Sequence, residues 1–148
     1  MSADDAVTVL SEDECWSFLS SVSLGRLVTS MGGRIEIFPV NFVTQRRTVL
    51  FRTAEGTKLY DVVKSDQVAF EADDHTAAEG WSVIIKGRAH LLLANAEILD
   101  AEEAPLLPWP ATFKPYYVRV IALEITGRRF KFGPEPRGVS RPFYPSDL

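Results

Sequence analysis

The sequence has 148 residues, of which 46% are hydrophobic and 24% charged, and a formal net charge of -4. These values predict one folded domain spanning residues 1–148, and they exclude the broad basic surface that follows nucleic-acid phosphates. Because no apolar run reaches the roughly 20 residues that span a bilayer, we expect no membrane segment and a cytoplasmic location.

The first predicted element is an amphipathic helix from Ser11 to about Ser20. Ser11 and Glu14 have the spacing of a capping box. Apolar residues then recur at helical intervals, at Cys15, Phe18, Leu19 and Val22. The single cysteine lies on this stripe, so we interpret it as a core thiol without a chemical role.

Short strands separated by turn residues follow the helix. We predict β-rich runs at 24–29, 34–42 and 48–53, separated by turn residues at 31–33 and 44–47. Residues 57–64 have apolar side chains on one helical side, and 67–72 return to strand character. This part of the chain is predicted to be an antiparallel meander interrupted by a short helix.

The second half contains two long strands. Apolar residues occupy most odd positions from 81 to 93, and Gly87 within that run indicates a bulge or a sharp bend. Residues 94–104 suit a short helix, 105–115 form a proline-rich connection, and 116–132 form a last strand with a break near Gly127. The expected fold is mainly β, a barrel with peripheral helices.

One segment, 51–58, has several features of an anion site. It runs from a strand end through a turn containing Gly56 into a helix start, where backbone N–H groups lack partners. Thr53 and Thr57 add hydroxyl groups, and Arg52 and Lys58 add positive charges. An ordinary helix start, with Thr57 as the N-cap and Lys58 in solvent, explains the same residues.

A second segment has features that could bind the hydrogen-bonding edge of a planar ring. Pro39 lies inside a good strand and removes one donor from the ladder, while Asn41 offers both a donor and an acceptor. The alternative interpretation is an edge strand in which Pro39 prevents unwanted pairing.

Five ordered blocks resemble the pyridoxamine 5'-phosphate oxidase-like superfamily of split-barrel flavoproteins. The resemblance covers residues 11–93. Its blocks are LGRL at 24–27, PVNF at 39–42, FRT at 51–53 with GTKL at 56–59, VAFE at 68–71, and GWSV at 80–83 with GRA at 87–89.

The resemblance implies a split β-barrel oxidoreductase that passes hydride between FMN and a small organic substrate. It further implies a homodimer with the cofactor at the subunit interface. The implied cofactor-binding residues are Ile37, Phe38, Pro39, Val40 and Asn41 along the ring, Arg52, Thr53, Thr57 and Lys58 at the phosphate, and Trp81 and Ser82 near the ring.

The resemblance leaves the exact function open. The Arg-x-His substrate signature of pyridoxamine phosphate oxidases is missing from the C-terminal part. The same superfamily includes enzymes that use the deazaflavin F420, and non-catalytic flavin or haem binders, so these are the alternatives. No side chain is singled out as an acid or a base, and no metal site is expected.

Other polar groups have simpler explanations. We interpret Asp73, Asp74, His75 and Glu79 as a solvated loop, and His90 as a surface residue. Trp109, between two prolines, could cover a cofactor or pack on a partner. A basic C-terminal group is either a solvated tail or an attractant for anions; its members are Arg128, Arg129, Lys131, Arg137 and Arg141.

Overall fold

The computed structural model describes residues 6–65, 67–106 and 114–134. Seven strands and three helices occupy these ranges. In chain order they are β1 (Val7–Val9), α1 (Glu12–Leu19), β2 (Leu24–Met31), β3 (Arg34–Gln45), β4 (Thr48–Thr53), α2 (Thr57–Lys64), β5 (Val68–His75), β6 (Glu79–Leu91), α3 (Asn95–Glu102) and β7 (Tyr116–Lys131).

The seven strands form one antiparallel sheet that closes on itself. Its order is β1-β7-β4-β3-β2-β5-β6, and a further pairing of β7 with β6 closes a barrel of six strands. The chain follows a meander from β2 to β4, and α2 then carries it across to β5, whose neighbour is β2. The predicted mainly β fold with helices outside the barrel is confirmed.

A single main core fills the barrel. Phe42, Phe51 and Phe70 are fully buried in it, and the rings of Phe42 and Phe70 meet edge to face with centroids 4.8 Å apart. Each of these aromatic side chains removes a large apolar area from water, so together they contribute strongly to folding. A smaller cluster beneath α3 contains Leu50, Leu92 and Ala101.

Helix α1 packs against β7 and β6 at the barrel surface. Ser11 and Glu14 form both hydrogen bonds of the predicted capping box. Cys15 is fully buried, as expected of a core thiol. A side chain at Gly127 would place its Cβ 2.7 Å from the Cys15 sulfur, so this glycine lets the helix approach the strand.

The predicted irregularity at Gly87 is confirmed. The register between β6 and β7 shifts between Lys86 and Gly87. A Cβ at Gly87 would lie 1.9 Å from the backbone oxygen of Ile121. Only glycine therefore permits the close approach of the two strands at this bulge.

Three details differ from the sequence-based expectation. Residues 44 and 45 of the predicted 44–47 turn continue β3, so the hairpin turn is shorter and consists of Arg46 and Arg47, with positive φ values of 47° and 55°. These arginines pair with Asp100 and Asp13, respectively, which explains how non-glycine residues are held in a primed turn. Strand β7 continues unbroken through Gly127, and the short β1 was not predicted.

Within the described ranges, no helix is both long and apolar enough to cross a lipid bilayer.

Candidate functional site

The barrel wall is split between β3 and β4. Strand β4 pairs with β3 only over residues 42–45, whereas β2 pairs with β3 along residues 34–41. Among the described strands, residues 34–41 therefore have a neighbour on the β2 side alone. The fold is a split β-barrel, as predicted.

Backbone polar groups of β3 point into this split. The amide of Phe42 donates to the carbonyl of Ser23 at 2.9 Å, on the β2 side. Because hydrogen-bonding direction alternates along an antiparallel strand, the N–H and C=O groups of Ile37 and Asn41 face the split. The nitrogen of Pro39 faces the same way, so the proline removes no ladder bond to β2.

The side chains of residues 37–41 divide between the two faces of β3. Val40 is buried, and Phe38 packs against the main core. Ile37 is 62% exposed and Pro39 is also exposed. Asn41 is half-buried. The exposed members of the group thus form an apolar outer face beside the split.

The second wall of the split is the turn from β4 into α2. Helix α2 begins at Thr57, and its N-cap is Gly56 with φ of 142°. The alternative interpretation of Thr57 as the N-cap is wrong, because Thr57 is the first helical residue and Gly56 forms no side-chain cap bond. The N-terminal amides of this helix are therefore available at an exposed turn.

Arg52 and Thr53 make local contacts at the strand end. The Arg52 Nε donates to the backbone carbonyl of Lys114 at 2.9 Å, and the guanidinium lies 5.0 Å from the centroid of the Tyr117 ring. Thr53 is buried, and its hydroxyl donates to the carbonyl of Ala54 at 3.2 Å. These contacts fix the start of the turn.

A pair of lysines gives the turn its positive charge. Lys58 is half-buried in the first turn of α2. Burial, together with the nearby positive charge of Lys114, lowers the pKa of the Lys58 ammonium. Sequence reasoning identified Lys58 and missed Lys114, which comes from a distant part of the chain and belongs to no local motif.

A buried carboxylate holds α2 against the barrel. Asp61 is only 1% exposed, accepts a hydrogen bond from Arg34 Nη2 at 2.8 Å and contacts the Thr29 hydroxyl at 3.3 Å. Arg34 begins β3 and Thr29 lies in β2, so α2 closes the far end of the split. This residue was also missed, since its partners depend on sheet register.

Trp81 and Ser82 lie elsewhere on the barrel. Gly87 pairs with Val68, the first residue after α2 in β5, and so marks the end of β6 that lies near α2. Ser82 is five residues from Gly87, which corresponds to about 17 Å along β6. By strand register, Ser82 lies at nearly the same height in the sheet as Asn41. The two residues are nevertheless about 14 Å apart, because β5 and β2 lie between their strands. Trp81 packs on Phe18, with ring centroids 5.0 Å apart.

The polar groups set aside above lie mainly in strands. Asp73 pairs with Arg26, and Glu79 pairs with Arg129. Asp74 and His75 end β5, so the expected solvated loop is largely strand, and His90 is exposed on β6. Arg128 and Lys131 belong to β7, whereas Trp109, Arg137 and Arg141 lie outside the described residues.

The structure thus brings residues 37–41, Arg52, Thr53, Thr57 and Lys58 to the two walls of one split, but not Trp81 or Ser82. The binding roles of all these residues stay predictions. A chain with this split β-barrel, and with a cationic turn beside the open strand, has the architecture of the flavoprotein class named above.

Comparison with known proteins agrees with this class. The chain matches the family described as pyridoxamine 5'-phosphate oxidase over residues 11–129, and it belongs to that family. Rv3129 of Mycobacterium tuberculosis is 63% identical over 94 residues, covering 64% of this chain and 86% of its own.

Two solved structures are also close. A protein from Mycobacterium smegmatis, described as FAD-binding, is 51% identical, covers 84% of this chain and 99% of its own, and superposes with a TM-score of 0.75. A candidate pyridoxamine 5'-phosphate oxidase from Corynebacterium glutamicum is 40% identical, covers 90% of this chain and 100% of its own, and gives a TM-score of 0.83.

Proposed function

We propose that this chain is a flavin-binding oxidoreductase of the pyridoxamine 5'-phosphate oxidase family. The supporting observation is that β3 pairs with β4 only over residues 42–45, and that β4 leads from there into the cationic turn before α2. A flavin with a phosphorylated side chain needs both kinds of contact. When bound, the flavin accepts or donates a hydride, and a small organic substrate is the other reactant.

The β3 edge suits the polar rim of the ring. An isoalloxazine ring presents alternating donors and acceptors along its imide edge, and backbone N–H and C=O groups match both kinds. Ile37 and Asn41 supply such groups on the split side, and Pro39 between them presents no donor that would be left unpaired. These residues bind and orient the ring, and their side chains need take no proton.

The cationic turn suits the phosphate end. A phosphate monoester carries nearly two negative charges at neutral pH, and Lys58, Arg52 and the N-terminal amides of α2 supply the complementary charge. Lys58 carries no ion pair to a carboxylate among the described residues. The donor set therefore fits an anion, and it would hold the phosphate of FMN.

The outer face of the barrel supports a homodimer with the cofactor at the interface. Ile37, Leu24 and Ile84 are 62%, 41% and 41% exposed. Across neighbouring strands, Pro39, Arg26, Glu71 and Ile84 share one row of this face. Ile37 and Leu24 lie two residues along the strands from Pro39 and Arg26, so a second subunit that covered this face would bury all three apolar side chains. In such a dimer, Trp81 and Ser82 of the second subunit could reach the ring.

The identity of the cofactor is a further part of the proposal. FMN is the first choice, because one cationic turn suffices for one phosphate. The M. smegmatis relative is described as FAD-binding, so FAD is the second candidate, and F420 is the third. A non-catalytic flavin or haem binder of the same fold is the alternative to an enzyme.

Binding and turnover test the proposal separately. The purified protein is titrated with FMN, FAD, F420 and haem, with fluorescence quenching or absorbance as the readout. We expect FMN to bind, with Lys58→Met weakening binding about ten- to a hundredfold and Lys64→Met, on the exposed end of the same helix, leaving it unchanged. Failure of FMN, FAD and F420 alike to bind would remove the proposal.

Turnover is then tested with the loaded protein. Under anaerobic conditions, NADPH, NADH or reduced F420 is added, and the absorbance of the bound cofactor reports reduction. Reoxidation by small quinones or nitro compounds would support an oxidoreductase. A protein that binds flavin tightly but shows no redox change with any donor would instead be a binding module.

A further inference from the structure

An ion-pair cluster lies at the centre of the outer face formed by β3, β2, β5 and β6, which are neighbours in that order. Arg26 of β2 pairs in register with Glu71 of β5. The Arg26 Nε donates to Glu71 Oε1 at 2.8 Å, and its Nη2 lies 3.0 Å from Asp73 Oδ2. The cluster therefore bridges the two central strands, with its positive group on one strand and its carboxylates on the other.

The surroundings of the cluster favour a partner of matching charge. The face around it exposes the apolar side chains of Ile37, Leu24 and Ile84. The side chains of Arg26 and Glu71 are 33% and 27% exposed. Within the described ranges, Arg26 Nη1 donates no hydrogen bond, so the guanidinium keeps a donor for another molecule. A cover without charges would bury these polar atoms without new partners, which costs free energy.

A two-fold axis parallel to the strands, between β2 and β5, makes this face complementary to itself. When two copies pack face to face about such an axis, the two sides of the face are exchanged and every residue keeps its height along the strands. Arg26 then lies opposite Glu71 of the partner subunit, and Glu71 lies opposite the partner's Arg26. Each guanidinium therefore meets a carboxylate.

The other symmetric arrangement of the face brings like charges together. A two-fold axis perpendicular to the strands, at the height of the cluster, places Arg26 opposite its own copy and Glu71 opposite its own copy. Like charges that face each other across an interface cost several kcal/mol, whereas opposite charges attract. Charge complementarity therefore selects the axis that is parallel to the strands.

The same axis brings together two residues that one chain keeps apart. Asn41 and Ser82 lie at nearly the same height, on the outer strands β3 and β6 of the face. Since these strands are equally far from the axis, the rotation places Ser82 of the partner subunit opposite Asn41. A barrel wall is convex, so two walls touch along their centre and leave a groove on each side, where these residues lie.

We propose that a second copy of this chain docks on this face about the strand-parallel axis, and that reciprocal ion pairs between Arg26 and Glu71 determine its orientation. This inference rests on the homodimer of the proposed function. It adds the residues that select the partner, the direction of the axis and the pairing of Asn41 with Ser82 of the partner subunit.

Charge reversal tests the ion pairs. Arg26→Glu and Glu71→Arg each place like charges at the axis, so each variant alone should dimerise at least about a hundredfold more weakly than wild type. Mixing the two variants should restore a dimer that contains one chain of each, because two glutamates then face two arginines. Analytical ultracentrifugation measures association, and native mass spectrometry distinguishes the mixed dimer by its mass.

The matched control is Glu102→Arg, an equal charge reversal at an exposed position of α3, away from this face. It should leave association unchanged, and circular dichroism checks that every variant is folded. Reversal variants that dimerise as wild type does, or a mixture that stays monomeric, would refute the ion pairs and leave the homodimer standing. A wild-type protein that is monomeric at all concentrations would refute both, whereas FMN binding is measured independently.

A cross-linking test leaves the charged cluster intact. Asn41→Cys and Ser82→Cys are prepared as separate proteins and treated with a short bismaleimide, alone and mixed. The native Cys15 is fully buried, so wild type should not react. Covalent dimers that form only in the mixture support the strand-parallel axis. Cross-linking of either variant alone, or no cross-link in a mixture that ultracentrifugation shows to be dimeric, overturns it.

Discussion

Arg34 and Asp61 form an ion pair that joins the first residue of β3 to the middle of α2. The Arg34 Nη2 and the Asp61 Oδ1 are 2.8 Å apart, and the carboxylate is almost completely buried while the guanidinium is half exposed. The pair closes the split at the end opposite to residue 42. It therefore fixes the distance between the two walls on which the proposed cofactor site is built.

Removing Asp61 should loosen α2. In Asp61→Ala, the bonds from Arg34 and Thr29 are lost, and we expect the free energy of unfolding to fall by about 1.5–3 kcal/mol. Urea denaturation measures this change. The control is Glu36→Ala, which removes only the exposed 3.3 Å contact with Arg34 and should cost less than about 1 kcal/mol. Equal losses in the two variants would contradict the anchoring role.

Lys58 should not stabilise the ligand-free protein. Burial and Lys114 lower its folded pKa below the ordinary value of 10.5. The unfolded chain then binds more protons between the two values, so wild-type stability rises as pH increases through that window. Lys58→Met lacks this rise and should be no less stable than wild type near pH 7, as measured by urea denaturation from pH 7 to 10. A variant that is clearly less stable than wild type would show that other groups of the folded chain stabilise the Lys58 ammonium.

The contribution of Glu71 to the free energy of unfolding should show the opposite pH dependence, at acid pH. Burial first, and then a hydrogen bond with Asp73, raise its pKa above 4.5, against the effect of Arg26. Stability from this raised pKa is fully present below about pH 4.5 and is lost as pH rises through the folded pKa.

The variant Glu71→Gln does not titrate at this position. The difference in unfolding free energy, wild type minus variant, should therefore fall between pH 4 and pH 7 in urea titrations. The exposed Glu102→Gln serves as the control and should show no such trend. A difference that grows with pH would mean that the attraction of Arg26 outweighs burial in determining the pKa of the Glu71 carboxyl group.

Gly87→Ala should be strongly destabilising. The added methyl group would meet the Ile121 carbonyl at 1.9 Å, and backbone atoms of two paired strands cannot move apart cheaply. We expect a loss of more than about 2 kcal/mol, or a fall in Tm of several degrees. Arg88→Ala, the next and exposed residue, should change Tm by less than about 2 °C. Thermal denaturation that leaves both variants near wild type would contradict the close approach.

Sequence reasoning succeeded where the signal was local. The capping box of Ser11 and Glu14, the alternation along β6 and the bulge at Gly87 each depend on neighbouring residues, and the structure contains all three. The turn into α2 was identified for the same reason. Five ordered blocks then gave the family and the split barrel.

The features that sequence reasoning missed depend on the register in which distant strands pair. Lys114 reaches the turn only because β4 and β7 pair as they do, and Asp61 finds Arg34 only once α2 lies across β2 and β3. Strand β1 has three exposed residues and no pattern of its own. The turn predicted over residues 44–47 contains only Arg46 and Arg47, and the ion pairs that hold these arginines at positive φ are distant in sequence.

The closure of the sheet by β7 has a consequence for biosynthesis. Strand β7 pairs with β1, β4 and β6, so the wall stays open until the last described strand has left the ribosome. Nascent chains that stop before Tyr116 would expose the edges of β4 and β6 to proteases and to other chains. Productive folding of this barrel therefore waits until β7 has been translated.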